Sequence, residues 1–205
     1  MTNKLLAFDT SSEILSIAIF DGERKIAAFE SSGFVRHSSI LLPSIEKLLK
    51  ENKIKPDEID VMAVGLGPGS FTGLRVGVTA AKILGYALKK KVVGVSSLDA
   101  IAFGMPDVEG VFTLAVDARR GKWYTAAYEK KNGGFSVVRK LRLNKGGEFL
   151  DEKNVIRAGD GTPFHPNAEC VARLGMEQIK KKEFIDPFRL EPLYLYPRDC
   201  NVTKR

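Results

Sequence analysis

The sequence predicts an α/β protein in which one unit of strands and helices occurs twice, the second time in reduced form. The first observation is the order of the segments. Short apolar or alternating stretches that end at turn residues are typical of strands, and stretches with a 3.6-residue apolar period are typical of helices. Over the first hundred residues this order is β-β-β-α-β-α-β-α. The second observation is a repeat, because Leu-Leu-Ala-Phe-Asp at 5–9 is echoed by Thr-Leu-Ala-Val-Asp at 113–117.

The first half begins with a meander of three strands, and the Asp21-Gly22 pair is typical of a hairpin turn between the second and third of them. A glycine-rich loop at 65–70 then separates a buried strand from the second long helix. Alternating strands and helices of this kind predict a mixed sheet that is covered by helices. The predicted elements are strands at 5–8, 15–20 and 26–30, a helix from Ser38 or Ser39 to about Glu51, a strand at 61–64, a helix from about 72 to 88, a strand at 92–95 and a short helix at 98–103.

The second half repeats only the beginning of this pattern. Strands are predicted at 113–117, 123–128 and after the turn at 132–134, but the pattern weakens after Leu141. One more strand at 155–158 and a short helix at 168–174 follow. We therefore expect an N-terminal lobe at 1–104 and a smaller, truncated C-terminal lobe at 105–205. A duplicated β-β-β-α-β-α unit is typical of the actin-like, sugar-kinase-type (ASKHA) fold, in which two turns bearing aspartate face each other and hold nucleotide phosphates and magnesium.

Composition excludes several classes of protein. The 44% apolar and 28% charged residues are those of a globular protein. The net charge of +7 is spread along the chain without interleaved aromatic residues, so charge alone does not predict an RNA-binding protein. Cys170 and Cys200 are too far apart for a disulfide framework or a metal knuckle, and we expect thiols in a reducing cytosol. No apolar run is long enough to span a bilayer and the N-terminus does not have the pattern of a signal peptide, so the expected location is cytoplasmic.

The most distinctive motif is GPGSFTGLR at 67–75, between a predicted strand and a predicted helix. Exposed backbone N–H groups and the helix N-terminus could bind an anion there. The motif lacks the Gly-Lys-Ser/Thr ending of a Walker loop. The alternative is a tight turn that lets the helix start close to the sheet, and the residues alone favour this alternative slightly.

The chain contains the motifs DTSS at 9–12, RHSSILLPSI at 36–45, GPGSFTGLR at 67–75, GVSSLDA at 94–100, DARRGKWY at 117–124 and PLYL at 192–195. Together these motifs resemble the bacterial TsaB (YeaZ) family, also called glycoprotease-like. The resemblance covers the first two thirds of the chain closely and also a short motif near its end. It implies a supporting role in forming N6-threonylcarbamoyladenosine next to the anticodon of ANN-decoding tRNAs. The implied partners are the catalytic relative TsaD, which shares the fold, and the small ATPase TsaE.

The same resemblance implies that metal catalysis is lost. The catalytic relative carries a metal-binding H-x-x-x-H motif, and Ser97 and Ile101 occupy the two histidine positions here. A serine hydroxyl is a poor ligand for iron or zinc, and an isoleucine side chain cannot be a ligand. The whole chain has two histidines, His37 and His165, which cannot form an i, i+4 pair. We therefore expect no metal, no cofactor and no catalytic residue, which makes a metallopeptidase improbable.

The two turns that bear aspartate are the remaining candidates for a ligand site. Asp9, Thr10 and Ser11 could hold a phosphate or magnesium, and Asp117 and Arg119 would face them as the second half of a vestigial anion or nucleotide site. Arg119 and Arg120 stand where close backbone approach to a phosphate favours small residues, although arginine can itself attract phosphate. An ATP-binding phosphotransferase of the actin-like fold is the alternative function that these turns leave open.

The two long helices of the N-terminal lobe carry more apolar residues than one buried stripe requires. The family resemblance favours an apolar interface with the TsaD-like subunit, and a homodimer through the same patch when that subunit is absent. In this arrangement tRNA is reached through the complex. The alternative is that both helices are buried inside the domain. The predicted interface residues are Leu41, Leu42, Ile45, Leu48 and Leu49 of the first helix, and Leu74, Val78, Ile83 and Tyr86 of the second.

Overall fold

The structure is a computed structural model that describes residues 4–31, 36–106, 108–147, 149, 152 and 154–195. Its N-terminal part is a five-stranded mixed sheet of order β3-β2-β1-β4-β5. β1 pairs antiparallel with β2 and parallel with β4, as the predicted meander and crossovers require. The elements are β1 (Lys4–Asp9), β2 (Ser16–Asp21), β3 (Arg24–Glu30), α1 (His37–Glu51), β4 (Val61–Gly65), α2 (Phe71–Ala87), β5 (Lys91–Val95) and α3 (Ser97–Gly104).

The C-terminal part contains a second, four-stranded sheet of order β8-β7-β6-β9. Its order repeats that of the first four strands of the first sheet, and the duplicated actin-like fold with a reduced second copy is confirmed. The described residues between β8 and β9 include no helix, and no fifth strand follows β9 in the described part of the chain. The elements are β6 (Gly110–Asp117), β7 (Lys122–Lys131), β8 (Gly134–Lys145), β9 (Val155–Ala158) and α4 (Ala168–Lys180), with short 3₁₀ turns at Pro56–Glu58 and Pro187–Arg189.

The first sheet is covered on both faces because its central strand is apolar on both sides. Leu6 and Phe8 of β1 pack in a core with α1 and α2, whereas Leu5 and Ala7 pack in a second core with α4. Alternation of side chains along a strand places these two sets on opposite faces. A third core lies between α3 and the second sheet, where Tyr128 of β7 is fully buried.

The course of α4 differs from the expected division of the chain. α3 ends at Gly104, where the predicted N-terminal lobe ends. α4 follows the second sheet in sequence, yet Val171 and Ala172 pack on the first sheet. It is also longer than the predicted helix at 168–174. The division of the chain at residues 104 and 105 stays a prediction, and within the predicted C-terminal lobe the apolar face of α4 covers the back of the first sheet.

The segment after α4 also returns to the first lobe. The backbone N–H of Ile185 donates to the Val92 carbonyl at 2.8 Å, and that of Leu193 donates to the Leu66 carbonyl at 2.8 Å. Leu190 between them is fully buried in the core of α1 and α2. Within the described residues, no helix is both long and apolar enough to cross a membrane.

Candidate functional site

The carboxylate of Asp9 at the end of β1 is enclosed by its own hydrogen bonds. One oxygen, Oδ1, accepts from the Ser11 backbone N–H at 2.7 Å and from the Ser11 hydroxyl at 2.6 Å. The other oxygen accepts from the Ser97 hydroxyl at 2.6 Å. Asp9 is fully buried, and Ser97 Oγ in turn accepts from the Gly67 backbone N–H at 2.9 Å. The network makes Asp9 a buried link between β1, α3 and the glycine-rich loop.

The glycine-rich loop packs directly on this turn. Thr10 Oγ1 donates to the Gly73 carbonyl at 2.7 Å, and the Ser70 N–H donates to the Ser11 carbonyl at 2.6 Å. A Cβ on Gly73 would lie 2.0 Å from the Thr10 carbonyl oxygen, which no real contact permits. The tight-turn interpretation of the motif is therefore confirmed, because its glycines admit the backbone of the Asp9 turn where a side chain would not fit.

The opposing turn between β6 and β7 is open to solvent. Asp117 Oδ1 accepts from the Arg119 N–H at 2.7 Å, and the Arg119 guanidinium lies 3.4 Å from Asp117 and 3.7 Å from Asp160. Arg119, Arg120 and Gly121 all have left-handed φ angles, of 66°, 56° and 67°. Two consecutive non-glycine residues in this region are costly, so the local hydrogen bonds must hold the turn.

A cavity of about 580 Å³ separates the two turns. Ser11 lines it from the first lobe, and Asp117 and Arg119 line it from the second. Asp9 and Thr10 do not line it and lie behind Ser11 with their polar atoms already bonded. The structure therefore brings three of the five residues of the predicted anion site to one cavity, and Asp9 and Thr10 are not among the residues that line it. Much of the cavity wall is apolar and comes from residues such as Leu74, Ile101, Val116 and Tyr124.

The two lobes are joined at the mouth of this cavity. The Glu13 N–H donates to Asp160 Oδ1 at 3.0 Å, and the Gly161 N–H donates to Glu13 Oε1 at 3.3 Å. Arg119 completes the group through Asp160. These contacts hold the loop after β9 against the turn between β1 and β2.

Burial raises the pKa of the Asp9 carboxyl above its ordinary value of 3.8, although hydrogen bonds from Ser11 and Ser97 act in the opposite direction. A carboxyl with a higher pKa in the folded than in the unfolded state stabilises the fold only while protonated. We therefore expect the free energy of unfolding of the wild type, relative to that of Asp9→Asn, to fall as the pH rises from about 4 through the folded pKa.

Urea unfolding of both proteins between pH 4 and 8 measures this difference. Contributions of other titrating groups cancel when the two curves are subtracted. A difference that is constant with pH, or that rises, would show that Asp9 is not destabilised by burial.

The positions that correspond to the metal-binding histidines of the catalytic relative lie inside the protein. Ser97 is fully buried in the Asp9 network, and Ile101 is buried against the second sheet. Among the described residues, no three His, Cys, Asp or Glu side chains are grouped closely enough to hold a metal ion. His37 lies 3.2 Å from the Glu13 carbonyl and His165 lies 3.6 Å from Glu30, in different places. The expected absence of a metal stays a prediction.

The predicted interface residues divide into two groups. Six of them are buried, so they are not exposed to a partner: Leu41, Ile45, Leu48, Leu49, Leu74 and Val78. Five of them pack in the core with the first sheet, and Leu74 lines the cavity between the lobes. Leu42, Ile83 and Tyr86 remain, with exposed fractions of 50%, 60% and 66%. An interface at α1 and α2 stays a prediction, and it now rests on these three exposed residues.

Sequence reasoning missed exposed aromatic residues beside α2. Phe71 at its first turn and Phe188 and Tyr194 after α4 are exposed. The Phe71 and Tyr194 rings are 5.6 Å apart, and the Tyr86 and Phe188 rings are 5.0 Å apart. Phe188 and Tyr194 matter because their rings contact α2, and the periodicity of the sequence does not show these contacts.

Comparison with known proteins identifies the family. Residues 33–162 match the family profile described as TsaD: tRNA N6-adenosine threonylcarbamoyltransferase. The Bacillus subtilis tRNA threonylcarbamoyladenosine biosynthesis protein TsaB is 35% identical, in an alignment that covers 78% of this chain and 72% of that protein. The chain belongs to the TsaB family. The Escherichia coli TsaB protein is 33% identical over 94% of each chain, so the similarity of this TsaB-family chain extends through both lobes.

Solved structures agree with the fold of this TsaB-family chain. YeaZ from Pseudomonas aeruginosa has a TM-score of 0.80 at 24% identity, covering 94% of this chain and all of that chain. A second structure, of a protein with similarity to peptidase YEAZ from the same organism, has a TM-score of 0.83 at 24% identity and covers 95% of this chain. At this identity the two structures support the fold, and the family rests on the sequence matches.

Proposed function

We propose that this chain is a non-catalytic subunit of the machinery for tRNA threonylcarbamoyladenosine biosynthesis. It pairs with a TsaD-like catalytic subunit, together with a TsaE-like ATPase, to form N6-threonylcarbamoyladenosine next to the anticodon of ANN-decoding tRNAs. The observation that carries the proposal is the exposed apolar surface of the first lobe, where Leu42, Ile83 and Tyr86 lie on two adjacent helices. Solvent-exposed clusters of this kind mark protein–protein contacts.

The surroundings of the Asp9 turn support the non-catalytic part of this proposal. Asp9 and Thr10 bond to the chain itself, and the glycine-rich loop fills the space beside them. Ser97 and Ile101 stand at the positions that supply metal ligands in the catalytic relative, and both are buried. Neither side chain suits iron or zinc. The catalytic groups are then expected to come from the TsaD-like subunit.

The remaining parts of the proposal follow from the shared fold. A homodimer through α1 and α2 forms when the partner is absent, since one exposed apolar patch can pair with itself. tRNA is held by the complex, and this chain alone binds it weakly. The proposed location is the cytoplasm, where tRNA is modified.

A reconstitution that omits one component at a time tests this function. We expect modification of an ANN-decoding tRNA only when this chain, a TsaD-like subunit and a TsaE-like ATPase are all present, together with the supply of the threonylcarbamoyl group. The readout is N6-threonylcarbamoyladenosine in digested tRNA, measured by mass spectrometry. Unchanged modification without this chain would overturn the proposal, and so would modification by this chain alone.

An ATP-binding phosphotransferase is the second candidate, because Ser11, Asp117 and Arg119 share the cavity between the lobes. Calorimetric titration with magnesium-ATP separates the two. The buried, internally bonded Asp9 favours weak or undetectable binding by the isolated chain. Tight binding that is lost in Arg119→Ala would favour the phosphotransferase.

A further inference from the structure

The net charge of the protein is concentrated in the second sheet. From β6 through β9, residues 110–158, the sequence contains eleven lysines and arginines and five aspartates and glutamates, so about a quarter of the chain carries +6 of the total charge of +7. No long basic run shows this in the sequence, because strand pairing brings the residues together. An excess of positive charge on one surface favours a polyanion as its ligand.

We infer that the face of the second sheet that is turned away from α3 contacts the phosphate backbone of RNA, with Arg142 and Arg157 as contact residues. The inference rests on the proposed function and names the part of this chain that touches tRNA. RNA binding can be measured without the modification reaction, so the inference can fail while the proposed function stands.

Strand pairing places the two arginines on one face with an aromatic and an amide side chain. In the β7–β8 pair, Trp123 is opposite Asn144 and Thr125 is opposite Arg142. The Asn144 amide donates to the Thr125 hydroxyl at 3.2 Å, and the Arg157 guanidinium of β9 lies 5.3 Å from the centre of the Trp123 ring. The other side of these strands packs on α3, and both arginines are exposed. We call the surface formed by Trp123, Arg142, Asn144 and Arg157 the basic face.

The carboxylates of the sheet do not neutralise these two arginines. Among the described residues, no carboxylate forms an ion pair with Arg142 or Arg157. Hydrogen bonds from Arg139 at 2.6 and 2.7 Å are the main cause of the lowered pKa of the Glu152 carboxyl, and attraction to Arg142 contributes less. The three described carboxylates of the sheet are paired or distant: Asp117 with Arg119, Glu152 with Arg139, and Glu129 near the other end of β7. Glu148 and Asp151 lie outside the described residues, and the excess of six cations already includes them.

Exposed cations in the first lobe are balanced by carboxylates. Lys25 pairs with Glu169 at 2.7 Å, and Lys4 pairs with Glu58 at 3.2 Å. Outside residues 110–158, the positive and negative charges of the sequence differ by one. The basic face is therefore a local feature of the second sheet and not a consequence of a basic chain.

The chemistry of the basic face fits a phosphate backbone better than it fits bases. A guanidinium is planar and can bind two phosphate oxygens through parallel N–H donors. The Trp123 ring already contacts Arg157 and lies 5.2 Å from the Phe149 ring, so it offers little surface on which a base could stack. We therefore expect contacts that depend on charge and not on nucleotide sequence. Under the proposed function the polyanion is tRNA, and binding of this kind weakens steeply with added salt.

The test titrates a fluorescently labelled ANN-decoding tRNA with the full chain and follows fluorescence anisotropy over a range of salt concentrations. The test variant is Arg142→Gln with Arg157→Gln. The matched control is Arg24→Gln with Arg173→Gln, which also removes two exposed arginines, one of them over an aromatic ring. At about 50 mM salt we expect the test variant to bind at least about tenfold more weakly, and its plot of log K against log salt to be shallower by about one to two. The control should bind within about twofold of the wild type.

Trp123 provides a second readout at the site itself, because it is the only tryptophan of the sequence. Its ring contacts the Arg157 guanidinium, so tRNA bound there should change its fluorescence. We expect this change in the wild type and in the control, and a much smaller change in the test variant at the same tRNA concentration.

Three results would overturn the inference. Equal tRNA affinity and equal salt dependence in the test variant and the wild type would place the RNA contacts elsewhere. Equal competition by polyglutamate of matched charge would assign the basic face to an acidic protein instead. Absence of tRNA binding by the wild type at about 50 mM salt would also contradict it. The reconstitution that omits this chain tests the proposed function separately, so the two failures can be told apart. Thermal unfolding of each variant checks that the fold is intact.

Discussion

Replacing Ile83 with glutamate is expected to weaken binding to a TsaD-like subunit by about a hundredfold or more, because the new charge would be desolvated in an apolar contact. Ile83 is an exposed apolar residue of α2, a helix that contacts both α1 and the 3₁₀ turn at Pro187–Arg189. Calorimetry or size-exclusion chromatography with the purified subunit measures the loss.

The controls for this prediction come from the same chain. Val138→Glu places the same charge at an exposed position on the second sheet and should leave binding unchanged. Ile45→Glu, which the sequence alone offers as an equivalent test, is unsuitable because Ile45 lies in the core and its charge would destabilise the fold. If folded Ile83→Glu binds as tightly as wild type, the partner does not contact this face of α2.

Gly73→Ala is expected to destabilise the protein by about 3 kcal/mol, since forcing atoms into a packed region costs roughly 1–3 kcal/mol or more. The added methyl would lie 2.0 Å from the Thr10 carbonyl oxygen, and the same turn is fixed by the hydrogen bond from Thr10 Oγ1 to the Gly73 carbonyl. Helix propensity acts in the opposite direction, because alanine is favoured over glycine by about 1 kcal/mol. For a chain of this size the melting temperature should fall by roughly 10 °C.

Thr79→Ala is the matched control for this substitution, because it lies on the exposed face of the same helix. Its stability should stay within about 0.5 kcal/mol of the wild type. Differential scanning calorimetry of the wild type, Gly73→Ala and Thr79→Ala compares their melting temperatures directly. A Gly73→Ala protein as stable as the wild type would show that the loop does not need to approach the Asp9 turn so closely.

The order of the elements could be predicted from sequence because apolar periodicity reports burial on one face or two. The strands at 5–8 and 61–64 and the helix after Ser70 all appear within a few residues of their expected bounds. The repeat of an aspartate after Phe8 and after Val116 was also sufficient to predict the duplicated fold. These signals are local, so they can be interpreted without knowledge of the tertiary contacts.

The division of the apolar helix residues between core and surface could not be predicted in the same way. Ile45 and Ile83 have the same chemistry, and only the packing of each helix on the sheet separates the buried one from the exposed one. The role of the glycine motif also depends on tertiary packing. Gly73 could serve an anion or a neighbouring backbone, and the position of the Thr10 carbonyl decides between them.

The largest failure of sequence reasoning concerns contacts between distant parts of the chain. Phe188 and Tyr194 follow the last helix in a stretch with little periodicity, and nothing local indicates that they lie beside Tyr86 and Phe71. Long-range contacts of this kind are set by the path of α4 across the first sheet. Sequence patterns alone do not contain that path.

The position of α4 also determines when the protein can fold during its synthesis. β1 is synthesised before α4, and Val171 and Ala172, which cover one face of its sheet, are made about 160 residues later. Until then Leu5 and Ala7 lack the helix that covers them on that side. The first sheet therefore exposes this face until α4 has been synthesised, and the native packing on that side cannot form before then.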